Sequence, residues 1–237
     1  IIGLPNVGKS TLFNALTESS KAEAANYPFA TIEPNVGRVA VPDQRLEVLG
    51  KIGKSEKIIP SYMDFVDIAG LVQGASKGEG LGNKFLGHIR EVDAIAHVVR
   101  CFKDDNITHV SNSIDPISDI ETIITELQLS DIETLEIKKN SLEKKSKQGD
   151  KIIKNQINII EKLLTNLSDL NFVQNNQYSE EDKQFLNTLN LITIKPMLYI
   201  CNVDENSVKN GNELSKKVNE YAMKNNHNSV IVSASIE

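Results

Sequence analysis

Gly3-Leu4-Pro5-Asn6-Val7-Gly8-Lys9-Ser10 follows two isoleucines and runs into the helix-forming sequence Thr11-Leu-Phe-Asn-Ala-Leu. It matches the pattern G-x-x-x-x-G-K-[ST], in which backbone N–H groups and a helix N-terminus surround phosphate oxygens. In this pattern Lys9 bridges the outer phosphates and the Ser10 hydroxyl binds Mg²⁺. The sequence therefore predicts a site for a nucleoside triphosphate and Mg²⁺. Only two residues precede the motif, so we expect a trimmed N-terminus and an incomplete first strand.

Composition narrows the class of protein. The chain has 237 residues, a net charge of −6 and two cysteines without metal-ligand spacing, which favours a reducing compartment over a disulfide framework. No apolar run approaches the roughly 18 residues that span a bilayer, and the first residues do not resemble a signal peptide. We expect a cytoplasmic, soluble protein with no membrane partner. Because the net charge of the chain is negative, we expect no sequence-specific DNA binding.

Short β-rich runs alternate with helical or glycine-rich segments at both ends of the chain. Candidate strands are Val36 to Val41, Tyr62 to Val66, Ala94 to Val99, Pro196 to Cys201 and Ser229 to Val232. Strands that alternate with helices indicate βα units and a mostly parallel sheet flanked by helices. With the phosphate loop, this predicts an α/β P-loop NTPase fold of the Ras-like G-domain type.

A helical segment interrupts this pattern. Between about Pro116 and Leu189 glycine nearly vanishes, and Ile153, Ile157, Ile160, Leu164 and Leu167 form one apolar stripe. Ile120, Ile124 and Leu127 begin a second stripe, so we predict an antiparallel helix pair linked near Gly149-Asp150 that buries both stripes against each other. Ser179 is predicted to cap a third helix. The domains are therefore 1–113 with 191–237, the nucleotide-binding unit, and 114–190, the helical coiled-coil insertion.

A second magnesium-side motif separates nucleotide switches from other phosphate-loop proteins. Asp67-Ile-Ala-Gly70 ends a predicted strand, where Asp67 can hold Mg²⁺ through water and the Gly70 N–H can sense the γ-phosphate. Thr31, in a loop with two prolines, is either a further Mg²⁺ ligand, which we favour, or an ordinary turn threonine. Four glycines between Gly74 and Gly82 suggest a loop that orders when the γ-phosphate is present. These segments indicate two switch regions.

The residue that orients the attacking water is not evident. Ras-like enzymes carry glutamine after the Asp-x-x-Gly motif, but this chain has Leu71, which cannot form a hydrogen bond. Gln73 lies two positions late, and His109 is a loop histidine, a residue type that is more often a surface residue than a catalytic one. Asn6 is either a plain loop residue or part of a site for a monovalent cation such as K⁺.

The base-recognition motif departs from the guanine pattern Asn-Lys-x-Asp. Asn202-Val203-Asp204-Glu205 follows a predicted strand, with valine in place of lysine and glutamate in place of aspartate. A site without the matched carboxylate loses a bidentate contact to guanine, whereas adenine can use Asn202 and the Val203 backbone. ATP is therefore favoured over GTP. Ser233-Ala234-Ser235 lies at the end of the last strand, where a final base-contacting loop belongs, and Ser233 and Ala234 are its candidate contacts.

Together these motifs resemble the Obg-like ATPase family, also called YchF, over nearly the whole chain. The resemblance rests on Gly3 to Thr11, Asn26 to Asn35, Asp67 to Asn83 and Asn202-x-x-Glu205. It implies a translation-factor-related switch, associated with the ribosome, that binds ATP at least as well as GTP. Site residues implied by the resemblance are Asn6, Val7, Gly8, Lys9, Ser10 and Thr11 for phosphate, Ser10 and Thr31 for Mg²⁺, and Asn202, Val203 and Glu205 for adenine.

The resemblance also bears on the reaction. Family members carry a suspected catalytic histidine in a loop, so the resemblance makes His109 a candidate catalytic residue. They also carry a C-terminal TGS domain, and this chain ends before it. The leading hypothesis is a slow ATPase switch. The alternative, motivated by Leu71, is a module that senses the nucleotide with negligible turnover.

Overall fold

The computed structural model describes residues 1–18, 35–68, 81–104, 114–145, 150–169 and 178–236. Its helices are α1 Lys9–Glu18, α2 Gln44–Gly53, α3 Leu81–Glu91, α4 Pro116–Lys145, α5 Lys151–Ser168, α6 Glu180–Leu189 and α7 Glu213–Lys224. Its strands are β1 Asn35–Ala40, β2 Tyr62–Asp67, β3 Ile95–Arg100, β4 Met197–Asn202 and β5 Asn228–Val232. Each of the five candidate strands is present, with bounds that shift by at most one residue.

The strands form a three-stranded parallel sheet in the order β3-β4-β5 and an antiparallel pair of β1 with β2. Ile1 and Ile2 connect the two. The Ile1 nitrogen donates to the Val66 carbonyl (2.6 Å) and Ile68 N–H to the Ile1 carbonyl (3.2 Å). On the other side, Ile2 N–H donates to the Ala96 carbonyl (2.8 Å). The first two residues therefore join both sheets into one surface, and the predicted α/β P-loop fold is confirmed.

The first apolar core lies between this sheet and the helices around it. Ile2, Ile89, Val98 and Tyr199 are almost completely buried in it. The first half of α4 belongs to the same core, with Ile120, Ile123, Ile124 and Leu127. The prediction that the stripe from Ile120 to Leu127 packs against the next helix is therefore wrong, because this half of α4 packs on β3 and α7.

The second apolar core lies in the helical arm, by which we mean α4 beyond Leu127 together with α5 and α6. Leu135 and Leu142 of α4 pack there with Ile160, Leu163 and Leu167 of α5. The two helices are also joined by an ion pair between Lys139 and Glu161 (2.7 Å). The buried face of α5 includes Ile159 and Leu163, which the predicted stripe omitted. The predicted cap of α6 is confirmed, since the Ser179 hydroxyl accepts a hydrogen bond from Asp182 N–H (3.2 Å).

A buried polar junction separates the two cores. The Asp131 carboxylate is completely buried and accepts hydrogen bonds from Arg90 Nη1 (3.0 Å), Ile192 N–H (3.1 Å) and Thr193 N–H (2.8 Å). Arg90, near the end of α3, also donates to the Asn190 carbonyl and to the Ser130 and Thr134 hydroxyls of α4. One ion pair therefore ties α3, the middle of α4 and the segment that leads into β4.

None of the helices within the described ranges combines the length and the apolar character needed to cross a membrane. Cys101 and Cys201 are both buried, with free thiols.

His97 makes the stability of the fold depend on pH. Burial on β3, with a smaller effect of the Lys9 charge, lowers the pKa of His97 from 6.5 to about 3. Its ring packs on Tyr199 at 5.6 Å between centroids. Below pH 6.5 His97 binds a proton in the unfolded chain but stays neutral in the folded state. The free energy of unfolding therefore falls as pH drops from 6.5 towards 3.

We predict that His97→Phe flattens this dependence, because phenylalanine keeps the ring but does not titrate. Relative to its own value at about pH 7.5, the variant should lose about 2 kcal/mol less of its unfolding free energy by about pH 5 than the wild type. Urea unfolding at the two pH values measures the difference. Parallel losses in both proteins would show that His97 is not the responsible group.

Candidate functional site

The phosphate loop adopts a backbone that only certain residues tolerate. Gly3 and Gly8 have φ of 149° and 97°, and Asn6 has φ of 62°. Asparagine reaches the left-handed region more readily than most residues, and glycine does so without a steric penalty. A Cβ on Gly8 would overlap the Asn202 amide, and one on Gly3 would lie 2.5 Å from the Val98 carbonyl oxygen. The loop therefore needs glycine for both its conformation and its packing.

Lys9, Ser10 and Asp67 meet at the end of this loop, as predicted. The Lys9 side chain is buried, and one of its three N–H groups donates to the Leu4 carbonyl (3.0 Å). Burial lowers the pKa of Lys9, and the negative charge of Asp67 partly opposes that shift. The Lys9 ammonium group therefore lies at the N-terminus of α1 with further N–H groups available to a ligand.

Asp67 has an oxygen that suits a metal ion. The Ser10 hydroxyl donates to Asp67 Oδ2 (3.2 Å). Asp67 Oδ1 is buried and has no hydrogen-bond partner among the residues that the structure describes. Leaving such an acceptor unsatisfied is costly, and carboxylate and hydroxyl oxygens are the ligands that Mg²⁺ prefers. The two side chains therefore fit the predicted magnesium site.

A cavity of about 540 Å³ opens beside the loop, a volume typical of sites for small molecules. Its walls bring together most of the predicted residues: Asn6, Gly8, Thr11, Asn202, Val203, Glu205 and Ala234. Val7 is buried behind the loop. Regions that are distant in sequence, the phosphate loop and the end of β4, thus form one cavity.

Asn202 holds two walls of the cavity together. Its Nδ2 donates to the Val7 carbonyl (2.9 Å), and its Oδ1 accepts from Ala234 N–H (3.0 Å). The Val203 N–H donates to the Val232 carbonyl (2.9 Å). That N–H is therefore not free for adenine, and only the carbonyl of the Val203 backbone remains for a base contact. Asn202 retains one N–H for a ligand beyond its structural bonds.

The last loop of the cavity is linked to Glu205. Ala234 and Ser235 lie in the cavity wall, whereas Ser233 is buried behind it with its hydroxyl 3.0 Å from that of Ser235. The Ser235 hydroxyl donates to the exposed carboxylate of Glu205 (3.3 Å). Of the predicted loop Ser233-Ala234-Ser235, the structure thus places Ala234 and Ser235 in the cavity wall and Ser233 behind it.

Sequence reasoning missed a further wall, formed by Phe102, Lys103 and Asp104. These residues directly follow β3. Ligands of parallel α/β sheets bind at the carboxyl ends of the strands. The residues after β4 were considered in this way. The same rule at the end of β3 predicts that the residues after it also contact a ligand.

Outside the described residues lie the candidate switch and catalytic residues Thr31, Gly70, Leu71, Gln73 and His109. So do the loop glycines Gly74, Gly78 and Gly80 and the predicted linker residue Gly149. Their roles remain predictions.

Comparison with known proteins agrees with this geometry. Residues 1–128, more than half of the chain, match the profile of the family described as 50S ribosome-binding GTPase. A solved structure of the Schizosaccharomyces pombe YchF GTPase superposes with a TM-score of 0.81 at 37% identity, covering 99% of this chain and 65% of that chain.

Curated relatives match all or most of the chain. The ribosome-binding ATPases YchF of Haemophilus influenzae and Bacillus subtilis are each 52% identical over 100% of this chain. The matched region is 65% of the length of either relative. The protein of the same name from Mycoplasma genitalium is 49% identical over 93% of this chain and 60% of its own length. By its phosphate loop, its fold and these matches, the chain belongs to the 50S ribosome-binding GTPase family and, within that family, to the YchF group.

Proposed function

We propose that this chain is the nucleotide-binding part of a switch that binds ATP with Mg²⁺ and hydrolyses its γ-phosphate slowly. The observation that carries the proposal is the cavity that joins the phosphate loop to the end of β4. Triphosphate oxygens would contact the loop N–H groups and Lys9, and the base would enter between the Asn202 and Phe102 walls. Relatives named ATPases share 52% identity with this chain.

In the proposed complex Ser10 and Asp67 hold Mg²⁺, with Thr31 as a third candidate ligand. The metal would neutralise charge on the outer phosphates. Asp67 Oδ1, which is buried and has no hydrogen-bond partner within the described part of the chain, supports this assignment. Asn6, which lines the cavity, is the candidate contact for K⁺.

Preference for ATP over GTP rests on the contacts available to the base. The exposed Glu205 carboxylate is held by Ser235, and buried Val203 offers a carbonyl to the exocyclic amine of adenine. Neither supplies the matched bidentate acceptor for guanine. GTP is proposed to bind comparably or more weakly.

Hydrolysis is proposed to use the Gly70 N–H as the γ-phosphate sensor, with His109 as the candidate for orienting water. Leu71 removes the usual glutamine and accounts for slow turnover. Residues 1–113 and 191–237, with the first half of α4 packed against them, are proposed to form the nucleotide-binding unit, and the helical arm within the predicted insertion 114–190 is proposed to report nucleotide state to a partner. We propose that this partner is the ribosome, for which the related ribosome-binding ATPases are named, and that the chain acts in the cytoplasm.

Phosphate release tests the proposal directly. ATP and GTP are compared with Mg²⁺ in the presence of K⁺ and, separately, Na⁺, with heat-treated protein as the blank. Turnover of ATP above the blank supports the enzyme. ATP binding by calorimetry without turnover in either salt would leave only the sensing module.

The base assignment predicts that a guanine site can be rebuilt. The double variant Val203→Lys/Glu205→Asp restores Asn-Lys-x-Asp, so its GTP-to-ATP affinity ratio should rise about tenfold, equivalent to about 1.4 kcal/mol. Calorimetric Kd values for both nucleotides measure the ratio. Glu213→Asp, the same shortening at an exposed position on α7, is the control and should leave the ratio unchanged. An unaltered ratio in the double variant would refute the assignment.

A further inference from the structure

Arg100 ends β3 directly behind the missed wall of the cavity. It is only 1% exposed and pairs in register with Asn202 on β4. The walls on either side of the cavity therefore begin on adjacent residues of neighbouring strands. Cys101 N–H, which donates to the Asn202 carbonyl (2.8 Å), continues that pairing into the loop.

The Arg100 guanidinium is directed at the cavity wall itself. Its Nε donates to the Phe102 carbonyl (3.2 Å) and its Nη2 to the Asp104 carbonyl (3.0 Å). The same group lies 4.7 Å from the centre of the Phe102 ring, within the range of a cation–π contact. One side chain thus fixes the backbone of the wall at two points and supports its aromatic ring.

Burying a guanidinium is costly unless its donors are used, and here at least two of them hold this short segment. Other residues, namely Lys9, Ser10 and Asn202, make the side-chain contacts at the phosphate loop. Through its contacts with the cavity wall, Arg100 supports the base side of the cavity.

We infer that Arg100 is a positioning residue that holds Phe102 ready to receive the flat face of a nucleobase. A half-buried ring in the wall can stack on any planar heterocycle, and stacking of a base on an aromatic side chain contributes about 1–3 kcal/mol. Arg100 does not touch the ligand and acts through the loop that it orders. The inference rests on the proposed nucleotide site and adds to it a residue that sets affinity for the base.

Arg100→Met tests this role, because methionine fills the buried space without the donors or the charge. Affinity for Mg²⁺–ATP should fall about tenfold, with KM raised and kcat at saturation within about twofold of wild type. Inhibition by Mg²⁺–tripolyphosphate, which has no base, should be unchanged. Arg45→Met is the matched control, since Arg45 pairs with Asp43 at the exposed start of α2 and lies outside the cavity wall.

A second variant separates positioning from general damage to the fold. Phe102→Leu should also weaken ATP about tenfold, and the double variant should be far less impaired than the hundredfold product of independent effects. Equal losses for ATP and tripolyphosphate, or independent effects in the double variant, would overturn the inference. If wild type binds no ATP, the proposed function fails; if it binds ATP and Arg100→Met binds equally well, only this inference fails.

Discussion

Lys9→Ala is expected to weaken Mg²⁺–ATP binding about 100-fold or more, and phosphate release should fall to the blank. The ammonium is buried at the N-terminus of α1, with donors left over after its bond to the Leu4 carbonyl. Charge-assisted hydrogen bonds to phosphate in such a site are strong, and 100-fold corresponds to about 2.7 kcal/mol. Calorimetry and phosphate release measure the two effects.

The fold should tolerate this change. Burial lowers the pKa of Lys9, which means that the folded state pays to keep its charge. The thermal midpoint of Lys9→Ala should therefore stay close to that of wild type. Lys51→Ala, an exposed lysine in the last turn of α2, is the control for loss of a positive charge. Nucleotide affinity in Lys9→Ala equal to that of this control would rule out the proposed phosphate contact.

The largest effect on stability is expected at Asp131. Asp131→Ala leaves the Arg90 guanidinium without its carboxylate and two backbone N–H groups without an acceptor. Breaking a buried pair by removing one partner costs about 3–5 kcal/mol. For a chain of this size that corresponds to a thermal midpoint lower by about 10 °C. Urea unfolding and calorimetry measure both quantities.

Two companion variants show where the energy comes from. Asp64→Ala removes an ion pair with Arg38 that is well exposed on β1 and β2, and it should cost less than about 1 kcal/mol. Arg90→Met/Asp131→Ala should recover only part of the loss, because the Ile192 and Thr193 N–H groups remain unsatisfied. Full recovery in the double variant, or equal costs at Asp64 and Asp131, would contradict this account.

Local patterns in the sequence were sufficient for the phosphate loop and the strands. Gly3, Gly8 and Lys9 carry their chemistry in fixed spacing, and each strand is bounded by turn residues. Asp67 was placed correctly because a strand end fixes where its side chain goes. Features that depend on one short segment could therefore be predicted.

Features that depend on how distant segments meet could not. Apolar residues of α4 fall at helical spacing on both sides of Asp131, although those before it pack in the core beside the sheet and those after it pack with α5. Phe102 carries no motif, and its place in the cavity follows from the neighbouring strand. Likewise, nothing in the sequence indicates that Val203 N–H is already paired with Val232.

The unbroken course of α4 past Asp131 has a mechanical consequence. Its buried half is anchored in the core beside the sheet, whereas its outer half carries the arm. From Asp131 to Lys145 the helix extends about 21 Å, so a rotation of roughly 10° about the anchored half displaces its tip by about 4 Å. Because α4 is continuous through Asp131, a change in the tilt of its buried half would be carried without a hinge to the tip of the helical arm.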